Sequence, residues 1–248
     1  MNLAQAGMLV TGAASGVGLA CVRHFSACGA RVWGLDNDEQ ALESARADVT
    51  GARFVRCDVS DPEEVEAAVA AVFEDAGTID VVLNNAAVLR DQTLVSRLGK
   101  RVKKHSIADW SATLASNLTG TFLVAREVAA RWLESRHKGV IINTSSVVRA
   151  GNAGQSAYAA TKAAIDALTV TWSQELAVYG IRVAAIAYGF AETGMTRRVP
   201  PLFLERIRSG STVGRFATPE ELVAGVRFIC ENDYFAGRVL ELDGGLRF

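Results

Sequence analysis

Between an apolar run at Met8–Thr11 and an Ala-rich amphipathic stretch, the chain reads Thr11-Gly12-Ala13-Ala14-Ser15-Gly16-Val17-Gly18. Glycines at these intervals suit a phosphate. Gly12 allows a sharp turn, Gly16 lets the backbone approach a pyrophosphate, and Gly18 lets a helix pack closely on a strand. Together with Ser15 and Val17 they open a helix whose free N–H groups and positive end attract anions. Asp36 closes the next apolar run, 18 residues beyond Gly18. A carboxylate there accepts hydrogen bonds from both hydroxyls of an adenosine ribose and repels a 2′-phosphate. No Arg or Lys lies within 12–18, and Asn37 rather than a base follows Asp36. The chemistry indicated is dinucleotide binding, with NAD(H) favoured over NADP(H). The alternative for Asp36 is a local cap on the next turn. Further along, Tyr158 and Lys162 stand four residues apart in a helical pattern. At that spacing they share one face. The ammonium then favours the phenolate and pulls its pKa down from about 10. Such a phenol works as acid or base on an oxygen-bound proton.

These residues need elements to hold them. Apolar runs at 8–11, 31–35, 53–57, 79–84, 140–144, 181–187 and 238–242 read as strands. Helical patterns lie between them, near 16–28, 38–47, 62–76, 107–136, 157–179 and 218–230. Asp61-Pro62-Glu63-Glu64 and Thr218-Pro219-Glu220-Glu221 are helix starts: a capping side chain, Pro in the first turn, then acids at the positive end. Apolar strands alternating with helices imply an α/β doubly wound parallel sheet, a Rossmann fold covered on both faces. Nothing divides the chain, so a single domain over 1–248 is expected. The basic stretch Arg97–His105 reads as a solvated loop.

The interval Gly-x-x-x-Gly-x-Gly resembles that of the short-chain dehydrogenase/reductase family, and the resemblance runs over about residues 7–246. Asp58-Val59 looks like the family's adenine contact. Asn84-Asn85-Ala86-Ala87 resembles its Asn-Asn-Ala-Gly, with Ala87 in place of Gly. Asn117 matches the Asn of its catalytic tetrad, and Tyr158-Ala159-Ala160-Thr161-Lys162 its Tyr-x-x-x-Lys signature. By this resemblance Tyr158 is the general acid/base, Lys162 also binds the nicotinamide ribose, and Asn117 holds a proton-relay water. Residues 1–90 form the cofactor half, and 91–248 the catalytic and substrate half with a mobile lid near 194–213. Gly189, Ala191 and Thr193 match cofactor contacts after the sixth strand.

The catalytic Ser has two candidates. Aligning the strand end Asn143-Thr144-Ser145-Ser146 on the family pattern gives Ser146, whereas counting back 13 residues from Tyr158 gives Ser145. A one-residue slip flips strand faces, while loop length is forgiving. Ser146 is therefore taken, with one deletion read in the 147–155 loop, and Ser145 stays as second candidate. Tyr188-Gly189 replaces the usual Pro-Gly. Tyr188 is either a tolerated substitution or a ring that narrows the pocket floor or touches the cofactor.

The resemblance implies an NAD(H)-dependent oxidoreductase interconverting a secondary alcohol and a ketone. Arg90–Leu94 and Gly214-Arg215-Phe216 look like the 3-oxoacyl-thioester reductase branch. Two features oppose it: Asp36, because those enzymes usually prefer NADP(H), and Tyr179, which stands where many carry a base. A non-catalytic NAD-binding sensor or scaffold is the third reading, opposed by the intact set Asn117, Ser146, Tyr158 and Lys162. With 26 basic and 27 acidic residues, the charge is balanced at −1 and no nucleic acid or anionic membrane is expected as partner. Cys21, Cys28, Cys57 and Cys230 are scattered, as are the three histidines, so no disulfide framework or metal site is expected. No leader or apolar run of about 20 residues is seen, and a cytoplasmic protein is expected. The Ala-rich helices at 107–136 and 157–179 imply, by the resemblance, pairing into a homotetramer or at least a dimer.

Overall fold

Seven of the apolar runs become strands of one sheet: β1 (Gly7–Thr11), β2 (Arg31–Asp36), β3 (Arg53–Arg56), β4 (Val81–Asn84), β7 (Val140–Ser146), β8 (Arg182–Tyr188) and β9 (Val239–Leu242). Their order is β3-β2-β1-β4-β7-β8-β9, and every pairing is parallel. The computed structural model describes residues 1–191 and 201–246, without the side chains of 201–203 and 206. Thr193 and the part of the expected lid at 194–200 lie outside the described residues.

Successive side chains on a strand point to opposite faces, which divides the core in two. Met8 and Val10 pack on the layer of α1 (Gly16–Ala27), α2 (Glu39–Asp48) and α8 (Pro219–Glu231). Leu9 faces the layer of α3 (Pro62–Ala76), α5 (Gly120–Ser135) and α6 (Ser156–Leu176). The helix starts follow their sequence signals. The Asp61 carboxylate accepts from the Glu63 and Glu64 N–H groups. Thr218 and Glu221 form a reciprocal capping box.

Three features depart from the sequence reading. The helix expected over 107–136 is interrupted: α4 (Ile107–Leu114) passes through a π turn at Ala115–Thr119 before α5 begins. The basic stretch is no simple loop but an antiparallel hairpin, β5 (Val95–Leu98) and β6 (Arg101–Lys104), with Gly99 at φ +59° in its turn. Its charges mask a weak alternation of Val, Leu and polar residues. Finally, α7 (Pro201–Gly210) occupies part of the expected lid. Among the described residues, no helix is long and apolar enough to cross a membrane, and no group of three or more His, Cys, Asp or Glu side chains could hold a metal.

Candidate active site

The strand order reverses between β1 and β4, and ligands of such sheets sit at the carboxyl ends beside that point. The two strand ends are locked together there. The Thr11 hydroxyl accepts from the N–H groups of Asn85 and Ala86, each at 3.0 Å. The Asn85 amide returns bonds to the carbonyls of Thr11 (3.1 Å) and Gly12 (3.2 Å). Gly12 has φ +63°, and a Cβ on it would lie 2.8 Å from Ala86 Cα. A Cβ on Gly18 would strike the Gly12 carbonyl oxygen. Only glycine permits this close folding of turn on strand. Ser15 is the N-cap of α1, yet its side chain makes no capping bond. Ser15 and Gly16 are exposed at the helix mouth, with Val17 half-buried behind them.

Asp36 closes β2 with its carboxylate accepting from the Ala14 N–H (3.0 Å) and the Asp38 N–H (3.1 Å). It therefore does cap the next turn, and it also ties the glycine turn to β2. Each oxygen keeps a further lone pair, because a carboxylate offers about four acceptor sites. Asn37 beside it is exposed. Asp58 accepts from the Ser60 N–H and hydroxyl at 2.9 and 2.7 Å. Val59 is buried against Gly120. Asn85, Ala86 and the half-buried Ala87 line the end of β4. An uncapped helix mouth without obstructing side chains suits a pyrophosphate, and a carboxylate at the β2 end suits a ribose. The residues present fit a nicotinamide dinucleotide.

At the next strand end, β7 presents two serines in opposite directions. The Ser146 hydroxyl is hydrogen-bonded to the Tyr158 phenol and accepts from the Val148 N–H at 3.2 Å. Ser145 turns to the other side, where its hydroxyl donates to the Lys162 carbonyl at 3.4 Å and lies near the Asp166 carboxyl. Lys162 is buried, and its ammonium donates to the Thr144 carbonyl at 2.6 Å. It stands 5.5 Å from the centroid of the Tyr158 ring. Asn117 sits in the π turn, fully buried. Its amide is engaged at both ends by Val88, accepting from the N–H at 2.7 Å and donating to the carbonyl at 3.0 Å. It thus clamps the segment after β4 to the head of α5. A buried ladder braces the same region: Asn84 donates to Asn143, and Asn143 donates to Thr169, each at 3.0 Å.

The electrostatics differ from the sequence expectation. Burial pushes the Tyr158 phenol up to about 12, against the Ser146 hydrogen bond that lowers it, and the nearby Asp91 carboxylate raises it further. Lys162 does not hold it down, because the ammonium is drawn to the Thr144 carbonyl. Burial instead lowers Lys162 to about 8, with Asp166 opposing. Asp91 is a residue that sequence reasoning passed over. It accepts from Gln155 at 2.9 Å, and partial burial raises its own pKa. Its signal was its place within Arg90–Leu94, where family likeness drew more attention than charge.

On the far side, the Gly189 N–H donates to the Leu242 carbonyl at 3.0 Å. A Cβ on Gly189 would lie 2.7 Å from Asp243 Cα, so this crossing also needs glycine. Ala191 is buried and bridges to Ala217; Thr193 is not described. Tyr188 does not narrow the pocket floor. Its ring enters the core among α1 and α8 residues, close to Cys21 and Cys230. Its hydroxyl has no hydrogen-bond partner among the described residues.

A family model described as Enoyl-(Acyl carrier protein) reductase matches residues 12–247. The chain is 39% identical over 246 residues to the 3-oxoacyl-[acyl-carrier-protein] reductase FabG of Thermotoga maritima, with 96% of each chain covered. It is 36% identical over 250 residues to the short-chain reductase protein NovJ of Streptomyces niveus, covering 96% of this chain and 92% of that one. With the 3-oxoacyl-[acyl-carrier-protein] reductase FabG of Escherichia coli it shares 31% identity over 250 residues and 99% of both chains.

Proposed function

The chain belongs to the short-chain dehydrogenase/reductase family and is an oxidoreductase acting on a CH–OH group with a nicotinamide cofactor; on that premise we propose that it reduces the keto group of a 3-oxoacyl thioester, using NADH. The pairing of Ser146 with Tyr158 carries the reaction, and the names of the relatives carry the substrate class. Residues 1–90 hold the dinucleotide: the 12–18 turn takes the pyrophosphate, Asp36 with Asn37 the adenosine ribose, and Asp58 with Val59 the adenine. Asn85, Ala86, Ala87, Gly189 and Ala191 line the nicotinamide end. Bound NADH supplies the hydride to the keto carbon. The Ser146 hydroxyl and the Tyr158 phenol bond the keto oxygen, and Tyr158 passes its proton to that oxygen as the alkoxide forms. Lys162 places positive charge beside this exchange, and Asn117 fixes the wall opposite. Loss of NADH absorbance on adding 3-oxoacyl thioesters tests the reading. A NAD-linked dehydrogenase for a small hydroxy compound is the second reading, favoured by the exposed Tyr179 where a base would suit an anionic carrier. Turnover of simple ketones but not thioesters selects it.

Asp36 is expected to make NADH preferred over NADPH by at least about tenfold in kcat/KM, the scale of one lost charge-assisted contact. Asp36→Ala narrows that ratio; equal kcat/KM in the native protein sinks the assignment.

The charge on Asp91 raises the Tyr158 phenol. Asp91→Asn removes that charge, so the phenol pKa falls. The rise of alcohol oxidation with pH then moves to lower pH. A profile that stays put or moves upward removes Asp91 from the site.

The outer faces of α5 and α6 leave an apolar cleft of ≈ 400 Å³ among Leu118, Phe122, Ala164, Ala167 and Leu168. Phe122 is 42% exposed beside it. We propose that a second copy covers this face, giving a homotetramer or at least a dimer. Light scattering at micromolar concentration checks this, and a monomer-sized species alone rejects it.

A further inference from the structure

The hairpin β5–β6 has no part in the site described above, yet its residues are unusual. Leu94 to His105 contains five Lys or Arg residues and no carboxylate. None of the five forms an ion pair among the described residues. The register pairs Val95 with Lys104, Ser96 with Lys103, Arg97 with Val102, and Leu98 with Arg101. Cross-strand partners share a face, so each face of the ribbon mixes cations with an aliphatic side chain. All eight strand residues are exposed, Leu98 by 86%.

A two-stranded ribbon is marginal by itself, and this one is held at its root. The His105 N–H donates to the Leu94 carbonyl at 3.0 Å. Gln92 donates to Asp109 at 2.5 Å and accepts from the Ser106 N–H at 3.1 Å, which fixes the root to the start of α4. Gln92 also bridges to Gln155, three residues ahead of Tyr158. Lys103 and Lys104 line a cleft of ≈ 220 Å³ together with Asp91, whose charge reaches the phenol. The ribbon therefore stands beside Asp91 and is anchored through Gln92 to Gln155, which Asp91 also bonds.

We propose that this hairpin is the docking surface for an acidic carrier protein that presents the acyl thioester; the inference rests on the thioester reading above. Charge selects the occupant. A second copy seated on a two-fold axis would set five cations against five like charges. A small hydroxy compound has no use for them. An acidic face would be steered toward the site by the cations, while Leu98, on the same ribbon face as Arg101 and Lys103, would give apolar contact within a charged rim.

The test compares one 3-oxoacyl group carried by an acyl carrier protein and by N-acetylcysteamine, using the native enzyme and an Arg101→Glu/Lys103→Glu variant. Carrier-linked kcat/KM is expected to fall by at least about tenfold, mostly through KM, with steep salt dependence in the native protein. The short thioester should be turned over equally by both. Arg101→Lys/Lys103→Arg, which keeps the charge, should restore the carrier activity. Unchanged carrier kinetics in the reversed variant overturn the dock while leaving the thioester reading intact. An equal loss on both thioesters, or a changed oligomer mass in the variant, assigns the hairpin a structural role and also overturns it. Absence of turnover on either thioester by the native enzyme overturns the substrate reading, and the dock with it.

Discussion

Tyr158→Phe is expected to lower turnover by roughly 10²–10⁴-fold, the usual worth of a positioned proton donor, while NADH affinity stays close to native. The ring keeps its volume and its packing, so little else changes. What disappears is the hydroxyl bonded to Ser146 and with it the proton for the alkoxide. The pKa of about 12 fixes the sign of the pH dependence. Near neutrality the phenol is protonated, which suits reduction of a ketone. Alcohol oxidation needs the phenolate, so it rises with pH. Lys162 carries its charge below about 8 and loses it above. Lys162→Met should harm both turnover and NADH binding, because it removes that charge and leaves the Thr144 carbonyl without its donor. Rapid-mixing kinetics and NADH fluorescence separate the two effects. If Tyr158→Phe keeps most of its activity, the proton donor lies elsewhere.

The serines give the second large effect. Ser146→Ala should lose on the order of 10²-fold or more in kcat, as for a lost oxyanion-type donor. Ser145→Ala should lose far less, because its hydroxyl faces the Lys162 carbonyl and Asp166, away from the phenol. Steady-state kinetics on the paired variants decide the matter. The opposite ranking would mean that distance along the chain to Tyr158 selects the serine, and that strand direction does not.

The sheet was legible because its strands are continuous apolar runs and its helices carry caps and periodicity. The glycine turn was legible because sharp folding at Gly12 and close packing at Gly18 exclude every other residue. What stayed hidden depends on contacts between distant parts. Nothing local says that Lys162 is drawn to the Thr144 carbonyl rather than toward the phenol. Nothing local says that the Asn117 amide spends both ends on Val88, or that the Tyr188 ring turns into the core. The hairpin was hidden for another reason. Five cations dominate its composition, and only a weak alternation marks the strands. Asp91 was missed because its influence on Tyr158 passes through space, across 67 residues of sequence.

The π turn at Ala115–Thr119 has a consequence for how this protein could change over time. It holds one residue more than a regular helix needs, which sets α4 and α5 out of phase by about 100°. Deleting a residue there would let the two fuse into one regular, sturdier helix. It would also swing Asn117 away from Val88 and release the wall of the site. Heat resistance and turnover therefore pull in opposite directions at this spot. A lineage or a laboratory screen rewarded only for surviving higher temperatures has a one-codon route here, and that route is expected to trade activity for durability.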